Sequence, residues 1–316
     1  MPYAHPAPAG VGSIGQHAMD VLYQHRLVST RQLHRLITPH HSRAEYLRRQ
    51  LHQIRTAGMA DYAARRLHGQ SDLLWWLTHK GATAVEATGL LTARPYRMSA
   101  EAAAGPLQEH TLATVETGLA FTEWARTLGH ECGPLDWSPE VAHPYRDDTR
   151  PGEDFTLIPD AVLHYVHTTP AQRTLLTLFI EVDRTQMTVA RLAQKLHAYA
   201  AYQGHTPQLT ASRGARTVHR TSTVPAWRSR YPTFPRLLLV LTGASTARLA
   251  RRIADLRSLA AADPALSAGT LRAGVTTLEQ LQSQGPFAPI FTPVLGPGDL
   301  TDALLRPQSS TSTSAA

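Results

Sequence analysis

Three carboxylates lie next to segments that are predicted to be buried strands. Asp160 follows Pro159, and Glu181 lies 21 residues further on, within the apolar run 174–182, with Asp183 directly after that run. Because side chains alternate along a strand, Glu181 and Asp183 should point to the same side. A carboxylate at the end of an apolar strand is costly unless it is paired, solvated or bound to a cation. With Asp160 on a neighbouring strand, the three side chains are predicted to converge.

A cluster of three carboxylates would suit Mg²⁺ or Mn²⁺, which prefer oxygen ligands and retain water molecules. A metal there could activate water and offset the charge of a phosphodiester. Asp160, Glu181 and Asp183 are therefore the predicted metal ligands and catalytic residues. A structural alternative stays open, in which these carboxylates pair with Arg184 and Arg191 or cap the next helix.

A lysine on the helix after this strand is a further candidate for the same site. Lys195 and Tyr199 are four residues apart, which places them on one face of a helix. Lys195 is predicted to be catalytic, with an ordinary surface role as the alternative. On the preceding helix, His110 and Glu116 could reach the same pocket, although capping or packing would also explain His110.

The elements that would position these residues alternate between helix and strand. A helix is predicted over 110–128, a strand over 139–146, and a strand over 155–166 that Pro159 interrupts. Residues 174–182 and 236–242 are apolar runs typical of buried strands, and each is followed by a predicted helix. The segment 205–236 is rich in arginine and is predicted to be a long exposed loop. The order predicts an α/β (α+β) sheet flanked by helices.

The first part of the chain has a different pattern of short helices. Apolar spacing predicts helices over 14–26, over 30–37 after an N-cap at Ser29, and over 43–57 after an N-cap at Ser42. Strands are predicted over 59–65 and 73–77 around a turn at 68–70, before a closing helix capped by Thr78. Three short helices with tight turns form a helix-turn-helix core. The hairpin after them resembles the wing of a winged helix.

Charge supports a nucleic-acid partner for this part. Residues 1–100 contain 12 Lys and Arg against 5 Asp and Glu, which equals the net charge of +7 of the whole chain. A concentrated basic face attracts phosphate. The third helix is the predicted reader of double-stranded DNA, and the wing is predicted to hold phosphate. The predicted DNA-binding residues are Arg43, Arg48, Arg49, Gln50 and Gln53 on the helix, and Arg65 and Arg66 near the wing.

Composition excludes several other classes of protein. No apolar stretch reaches the roughly 18 residues that span a bilayer, and the first 12 residues lack the apolar core of a secretory signal. A single cysteine, Cys132, excludes an internal disulfide framework and a zinc site built from cysteines. We therefore expect a cytoplasmic protein without a membrane partner. A two-fold homodimer is compatible with a winged helix, but the sequence does not determine the oligomeric state.

The second part resembles the PD-(D/E)XK nuclease fold, whose core is a restriction-endonuclease-like mixed sheet. Asp160 matches the Asp of that motif and Glu181 matches the Asp/Glu, whereas Asp183 stands where the motif has lysine. The resemblance implies a metal-dependent DNA endonuclease, and the missing lysine weakens that implication. In some members of the fold the lysine lies on the following helix, as Lys195 does here.

Residues 14–260 also resemble the replication-relaxation family of actinobacterial plasmids and integrated elements. The resemblance rests on the winged helix and on the segments 110–112, 159–160, 181–184 and 190–199. It implies a role in plasmid replication, DNA relaxation or transfer. The predicted organisation is a disordered terminus over 1–13, a winged helix over 14–92, a linker over 93–107 that could form a bridging helix, a nuclease-like domain over 108–300 and a disordered tail over 301–316.

Three functions follow as alternatives. The first is a DNA-binding protein of a mobile element whose nuclease-like domain is weak or inactive. The second is an active Mg²⁺-dependent nuclease or nickase. The third is a transcriptional regulator whose second domain dimerises or senses a ligand. Asp183 favours the first over the second, and the carboxylates favour both over the third.

Overall fold

The computed structural model describes residues 11–67, 70–94, 98–147, 152–213, 216–221, 224–296 and 298–306, and for residues 66, 67, 70, 71, 208–213 and 216–221 it describes the backbone alone. The chain divides into two units. The first comprises Met1–Glu140 and Asp160–Leu176, and the second comprises Val141–Pro159 and Thr177–Ala316. Helices and strands are mixed along the chain, which confirms the predicted α+β class.

The elements up to residue 140 are mostly helical. In chain order they are α1 (Ser13–His25), β1 (Val28–Ser29), α2 (Thr30–Ile37), α3 (Glu45–Thr56), β2 (Ala60–Leu67), β3 (Gln70–Leu77), α4 (His79–Glu86), α5 (Ala100–Ala103), α6 (Gln108–Leu128) and β4 (Trp137–Pro139).

The elements after residue 140 include most of the strands. In chain order they are β5 (His143–Arg146), β6 (Asp154–Leu157), β7 (Ala161–Thr168), β8 (Arg173–Asp183), α7 (Val189–Gly204), β9 (Gln208–Arg213), β10 (Arg216–Thr221), a 3-10 helix (Ala226–Ser229), β11 (Arg236–Leu241), α8 (Thr246–Ala261), α9 (Pro264–Ser267), β12 (Ala273–Thr277), α10 (Leu278–Gln284) and β13 (Thr292–Pro293).

The predicted helices and hairpin of the N-terminal part are present. Ser29 caps α2 in a capping box with Gln32, because its side chain accepts from the Gln32 N–H while the Gln32 side chain accepts from the Ser29 N–H. Thr78 caps α4 as predicted, with its side chain accepting from the Gly81 N–H. The prediction for Ser42 was wrong, since α3 begins at Glu45 after Ala44 and has no side-chain cap.

Strands β1, β3 and β2 form an antiparallel sheet in that order. Trp75 and Trp76 on β3 are buried and contribute to the core of this part. The Trp75 indole N–H donates to the Thr30 hydroxyl at 3.0 Å, so the buried polar atom of the ring is satisfied. The predicted turn at His68 and Gly69 lies outside the described residues.

The first unit extends beyond the predicted boundary at residue 92. Ala103 of the predicted linker and Leu112 of α6 pack in one apolar cluster with Leu27, Leu74 and Trp76. The Gln32 side chain also donates to the Leu112 carbonyl oxygen at 3.0 Å. Helix α6 therefore shares a core with the N-terminal elements, and α5 is the bridging helix that was the alternative to a linker.

The remaining strands of the first unit lie side by side in the order β4, β7 and the start of β8. Strands β4 and β7 are antiparallel, with Trp137 opposite Leu163. The turn between β7 and β8 is closed by backbone hydrogen bonds between Thr169 and Gln172. The segment 139–146 was predicted to be one strand, but it divides into β4 of the first unit and β5 of the second.

The second unit is built on strands in the order β13, β12, β11 and β8. Strands β8, β11 and β12 are parallel, and β13 is antiparallel to β12. Glu181 lies opposite Leu239 and Asp183 opposite Leu241. Strands β5 and β6 pair as a separate antiparallel hairpin. Parallel strands joined by α7 and α8 place the carboxyl ends of β8 and β11 at one edge.

Two predictions for the second unit were wrong. The basic segment 205–236 is not a simple loop, because β9 and β10 pair as an antiparallel hairpin within it. The prediction of disorder from residue 301 was wrong for residues 303–305, since Ala303, Leu304 and Leu305 are buried and the Ala303 N–H donates to the Pro286 carbonyl oxygen. Residues 307–316 of the tail and residues 1–10 lie outside the described residues. Within the described part of the chain, none of the helices has the length and apolar character needed to cross a bilayer.

Candidate DNA interface and strand-end charge pairs

Helix α3 presents exposed arginines. Arg48 and Arg49 lie on the helix and Arg43 lies two residues before it, and all three side chains are exposed. The Arg49 guanidinium lies over the Tyr46 ring, 5.0 Å from its centroid. Leu47, Leu51 and Ile54 are fully buried on the other side, as their spacing predicts. The amphipathic pattern therefore holds α3 by one face and leaves its basic face exposed.

The two glutamines of α3 differ in environment. Gln50 is 5% exposed, and its side-chain oxygen accepts from the Gly12 N–H at 2.9 Å. Its amide group donates to the Gln53 side chain at 2.7 Å, and Gln53 itself is exposed. The prediction that Gln50 points outward to read a base was wrong, because this side chain ties the start of α1 to α3.

Arg65 and Arg66 are the two arginines near the predicted wing, and the structure describes a partner for the first of them. Arg65 on β2 forms an ion pair with Glu109 of α6 at 2.6 Å, and the Arg65 side chain is 20% exposed. Its charge is thus already neutralised within the first unit, which does not favour the predicted phosphate contact. The side chain of Arg66 lies outside the described residues.

Arg55, in the last turn of α3, provides an internal comparison. Its guanidinium pairs with Asp61 at 3.2 Å and lies 4.7 Å from the centroid of the Tyr62 ring. Both side chains of the pair are half exposed. Arg55 has a carboxylate partner, whereas no ion pair of Arg43, Arg48 or Arg49 is found among the described residues.

Glu181 is held from two sides within the second unit. Its side chain on β8 is 3% exposed. One carboxylate oxygen accepts from the Lys195 ammonium group, and the other accepts from the Tyr199 hydroxyl at 2.7 Å. The prediction that Lys195 and Tyr199 share a face of α7 is confirmed, because both reach the same carboxylate. Lys195 remains 32% exposed, so its charged end lies at the margin of the buried site.

Asp183 has a partner that the sequence did not suggest. Its carboxylate accepts from Nε of Arg252 on α8 at 2.5 Å and from the Thr185 N–H at 3.0 Å. Arg252 also donates to the Met187 carbonyl oxygen at 2.7 Å. The structural alternative predicted that these carboxylates form ion pairs, and Asp183 does form one. Its partner is Arg252, which lies 69 residues away in the sequence.

Asp160 belongs to the first unit and forms a pair with His110. Nε2 of His110 lies 3.1 Å from the Asp160 carboxylate. Both residues line a cavity of about 870 Å³ in the first unit, together with Arg26, Trp137 and Glu140 among others. An aspartate that orients an imidazole beside a cavity can assist proton transfer. The predicted contact of Glu116 with this pocket was wrong, because Glu116 pairs with Arg35 and Gln32.

Buried titratable groups surround this cavity and the core of the first unit. His25 stacks on Trp137 and donates from Nε2 to the Pro134 carbonyl oxygen at 2.7 Å. Burial lowers the pKa of His25 to about 4, so the ring is neutral at pH 7. Burial also raises the pKa of Cys132 to about 12, so this thiol is neutral at pH 7.

The hydrogen bonds and ion pairs of Glu181 and Asp183 bear on whether these predicted metal ligands could bind a metal ion. Each of the four carboxylate oxygens of Glu181 and Asp183 already accepts a hydrogen bond from a protein donor. Each carboxylate also has its own cation, Lys195 or Arg252. Among the residues that the structure describes, no group of three or more His, Cys, Asp or Glu side chains could hold a metal ion. The donor set as arranged does not fit Mg²⁺ or Mn²⁺, and the metal role stays a prediction.

Comparison with protein-family profiles gives a match over more than half of the chain. The profile of the replication-relaxation family matches residues 19–218. That range includes the N-terminal helices, the carboxylates and Lys195. A search of curated proteins finds no match to the chain.

Proposed function

Because this chain belongs to the replication-relaxation family, we propose that it is a DNA-binding protein that acts in replication, DNA relaxation or transfer of a plasmid or other mobile element. The observation that carries the DNA-binding part is the exposed arginine face of α3, formed by Arg43, Arg48 and Arg49. The partner in this proposal is double-stranded DNA.

The arrangement around α3 supports a winged-helix mode of binding. Helices α1 to α3 are followed by the hairpin of β2 and β3, with β1 completing a three-stranded sheet. In a winged helix or helix-turn-helix protein, the last helix of the core enters the major groove. Arginine on that helix can bond guanine edges or phosphate. Glu45, in the first turn, is the single acidic residue of α3, so basic residues predominate on this helix.

Direct measurement of duplex binding tests this proposal. The variant Arg43→Gln/Arg48→Gln/Arg49→Gln removes the exposed arginines, and fluorescence anisotropy would measure affinity for a labelled duplex. At roughly 1–3 kcal/mol for each specific arginine contact, affinity should fall by about 100-fold or more. Unfolding curves should coincide with those of the unchanged protein, since these side chains are exposed.

A matched control removes three exposed arginines that each have a carboxylate partner: Arg55→Gln/Arg146→Gln/Arg173→Gln. This variant has the same formal charge as the α3 variant. It should bind duplex DNA much more tightly than the α3 variant does. Equal losses of affinity in the two variants would overturn the specific role of Arg43, Arg48 and Arg49 and leave only a general effect of net charge.

In the second unit, we infer a nuclease-like domain in which charge pairs replace a metal centre. Glu181 holds the Lys195 ammonium group at the partly exposed margin of β8. A cation in that position can stabilise the negative charge of a phosphodiester. Asp183 and Arg252 fix the end of the same strand and the loop that follows it.

Metal-dependent cleavage is the second candidate. The contact between Lys195 and Glu181 favours it, because in the PD-(D/E)XK resemblance a lysine near that carboxylate assists the reaction. The ion pairs of Glu181 and Asp183 oppose it, since a metal ion would have to compete with the cations Lys195 and Arg252. The plasmid assay described below separates the two candidates.

A further inference from the structure

The carboxyl-terminal edge of the second unit's parallel strands has a distinct chemical character. Strands β8 and β11 end side by side, and the Thr242 N–H after β11 donates to the Asp183 carbonyl oxygen at 2.9 Å. Helices α7 and α8 begin a few residues after those strands, at Val189 and Thr246. The early turns of both helices therefore lie at this edge.

Arginines are concentrated in these early turns. Arg191 is the third residue of α7, and Arg248 and Arg251 lie in the first two turns of α8; all three side chains are exposed. No ion pair of these three with a carboxylate is found in the described part of the chain. Arg252 differs from them, because its side chain is 11% exposed and forms an ion pair with Asp183. We call Arg191, Arg248 and Arg251 the edge arginines.

Folding alone does not account for the edge arginines. The amino-terminal end of a helix carries partial positive charge, so arginine in the first turn is unfavourable there. Neither α7 nor α8 has an acidic residue in its first turn. Helix α10, which begins directly after β12 at the same edge, has Glu279 in its first turn, as the helix dipole favours.

The acidic residues near the edge arginines are few. Asp183 is buried and paired with Arg252. Asp255 lies one turn beyond Arg251 on α8, and Glu279 lies beyond β12. Positive charge therefore dominates where β8 and β11 end and declines towards β12. The surface is complementary to an extended chain of negative charges.

We infer that the edge arginines form a second DNA-binding surface, which holds the phosphodiester backbone of a duplex beside the Glu181–Lys195 pair. Phosphate contacts of this kind position DNA without reading its sequence. Lys195 lies one turn after Arg191 on α7, so a strand held by Arg191 would pass near the Lys195 side chain, which is 32% exposed. This inference rests on the proposed function, and it adds a second contact to the one made by α3.

The dependence of binding on salt tests the inference in the full chain. Each phosphate contact that is lost lowers the slope of log K against log salt by roughly 0.9. The variant Arg191→Gln/Arg248→Gln/Arg251→Gln should therefore lower the slope by about 2 to 3. It should also weaken binding to a duplex of several helical turns, uniformly across sequences.

A control variant changes the same charge at another place in the second unit. Arg228 and Arg272 precede β11 and β12, at the opposite ends of those strands, and Arg306 lies near Arg236, where β11 begins. The variant Arg228→Gln/Arg272→Gln/Arg306→Gln should retain the salt slope of the unchanged protein. An unchanged slope in the edge variant, or an equal decrease in both variants, would overturn the inference.

Failure of this inference can be told apart from failure of the proposed function. If the α3 variant of the previous section loses affinity while the edge variant does not, only the second surface is wrong. If the α3 variant binds normally while the edge variant loses affinity, α3 is not the anchor. A duplex of any sequence serves to test the edge variant, because phosphate contacts are sequence-independent.

Discussion

Helix α3 and the end of strand β8 both carry charged side chains, but the two sets have opposite surroundings. Arg43, Arg48 and Arg49 are exposed. Glu181 and Asp183 are buried, and each has a cationic partner from a neighbouring helix. Exposed charges cost the fold little and remain available to a ligand, whereas buried charges must be paired inside the protein. The comparison separates groups that are accessible to a ligand from groups that hold the second unit together.

The largest expected effect is on stability, from breaking a buried pair. Asp183→Ala leaves Arg252, 11% exposed, without its carboxylate, and should lower the free energy of unfolding by about 3–5 kcal/mol. Urea unfolding of the full chain measures this change. In the Asp183→Ala background, Arg252→Met should recover part of the loss, because the uncompensated charge is then removed.

An exposed pair of the same unit is the control for that measurement. Arg146 and Asp154 pair at 2.7 Å with side chains that are 53% and 78% exposed. Asp154→Ala should change stability by no more than about 1 kcal/mol. If Asp183→Ala costs as little as Asp154→Ala, the distinction between buried and exposed charge in this molecule fails.

The next effect is a loss of stability at low pH, carried by buried histidines in both units. Burial lowers the pKa of His25 and of His143 to about 4 from a usual value of 6.5. Between these values the unfolded chain binds protons that the folded chain does not, so stability falls as the pH decreases from 6.5 towards 4. Each histidine contributes at most about 3 kcal/mol over that window.

The carboxyl group of Asp20 has the opposite effect on how stability changes with pH. Burial raises the pKa of Asp20 to about 6, so between its usual value and pH 6 the folded chain binds the extra proton and acid favours folding. Asp20 therefore offsets part of the acid destabilisation that His25 and His143 cause. Unfolding at pH 7.5 and pH 5 measures it. His143→Phe should show a smaller difference between the two pH values than the unchanged protein, and an equal difference would contradict the role of His143.

A smaller loss of stability is expected from changing Gln50, which lies on the same helix as the exposed arginines but faces inward. Gln50→Ala removes its hydrogen bond to the Gly12 N–H and should cost about 1–2 kcal/mol of stability without changing duplex affinity. Gln53→Ala, at an exposed position, should leave stability closer to that of the unchanged protein. A loss of affinity without loss of stability in Gln50→Ala would show that this side chain reads DNA after all.

The smallest effect is expected when divalent metal is added to the protein and plasmid DNA, because no cleavage is expected. Supercoiled plasmid incubated with the protein should remain supercoiled with Mg²⁺ or Mn²⁺, because the oxygens of Glu181 and Asp183 are occupied by protein donors. Gel electrophoresis would detect nicked circles. Metal-dependent nicking that is lost in both Asp160→Ala and Glu181→Ala would establish the second candidate function and reverse the assignment of the strand-end pairs.

Local signals in the sequence predicted much of the fold. The cap residues Ser29, Thr78 and Thr188 each accept a backbone N–H at the start of the expected helix. The apolar runs that became β8 and β11 were also recognisable, since buried parallel strands need continuous apolar sequence. The spacing of Lys195 and Tyr199 correctly placed both on one side of α7. These features depend on residues within a few positions of one another.

Tertiary packing decided the features that join distant residues. The orientation of α3 about its axis places Gln50 on the inward side. Helix α6 provides Glu109 as the partner of Arg65. Arg252 reached Asp183 across 69 residues, although nothing near Asp183 in the sequence indicates it. Charge and periodicity along the chain thus determined which segments are helices, strands and basic surfaces. Which charges are neutralised was decided only by the fold, because a pair forms between side chains that packing brings together.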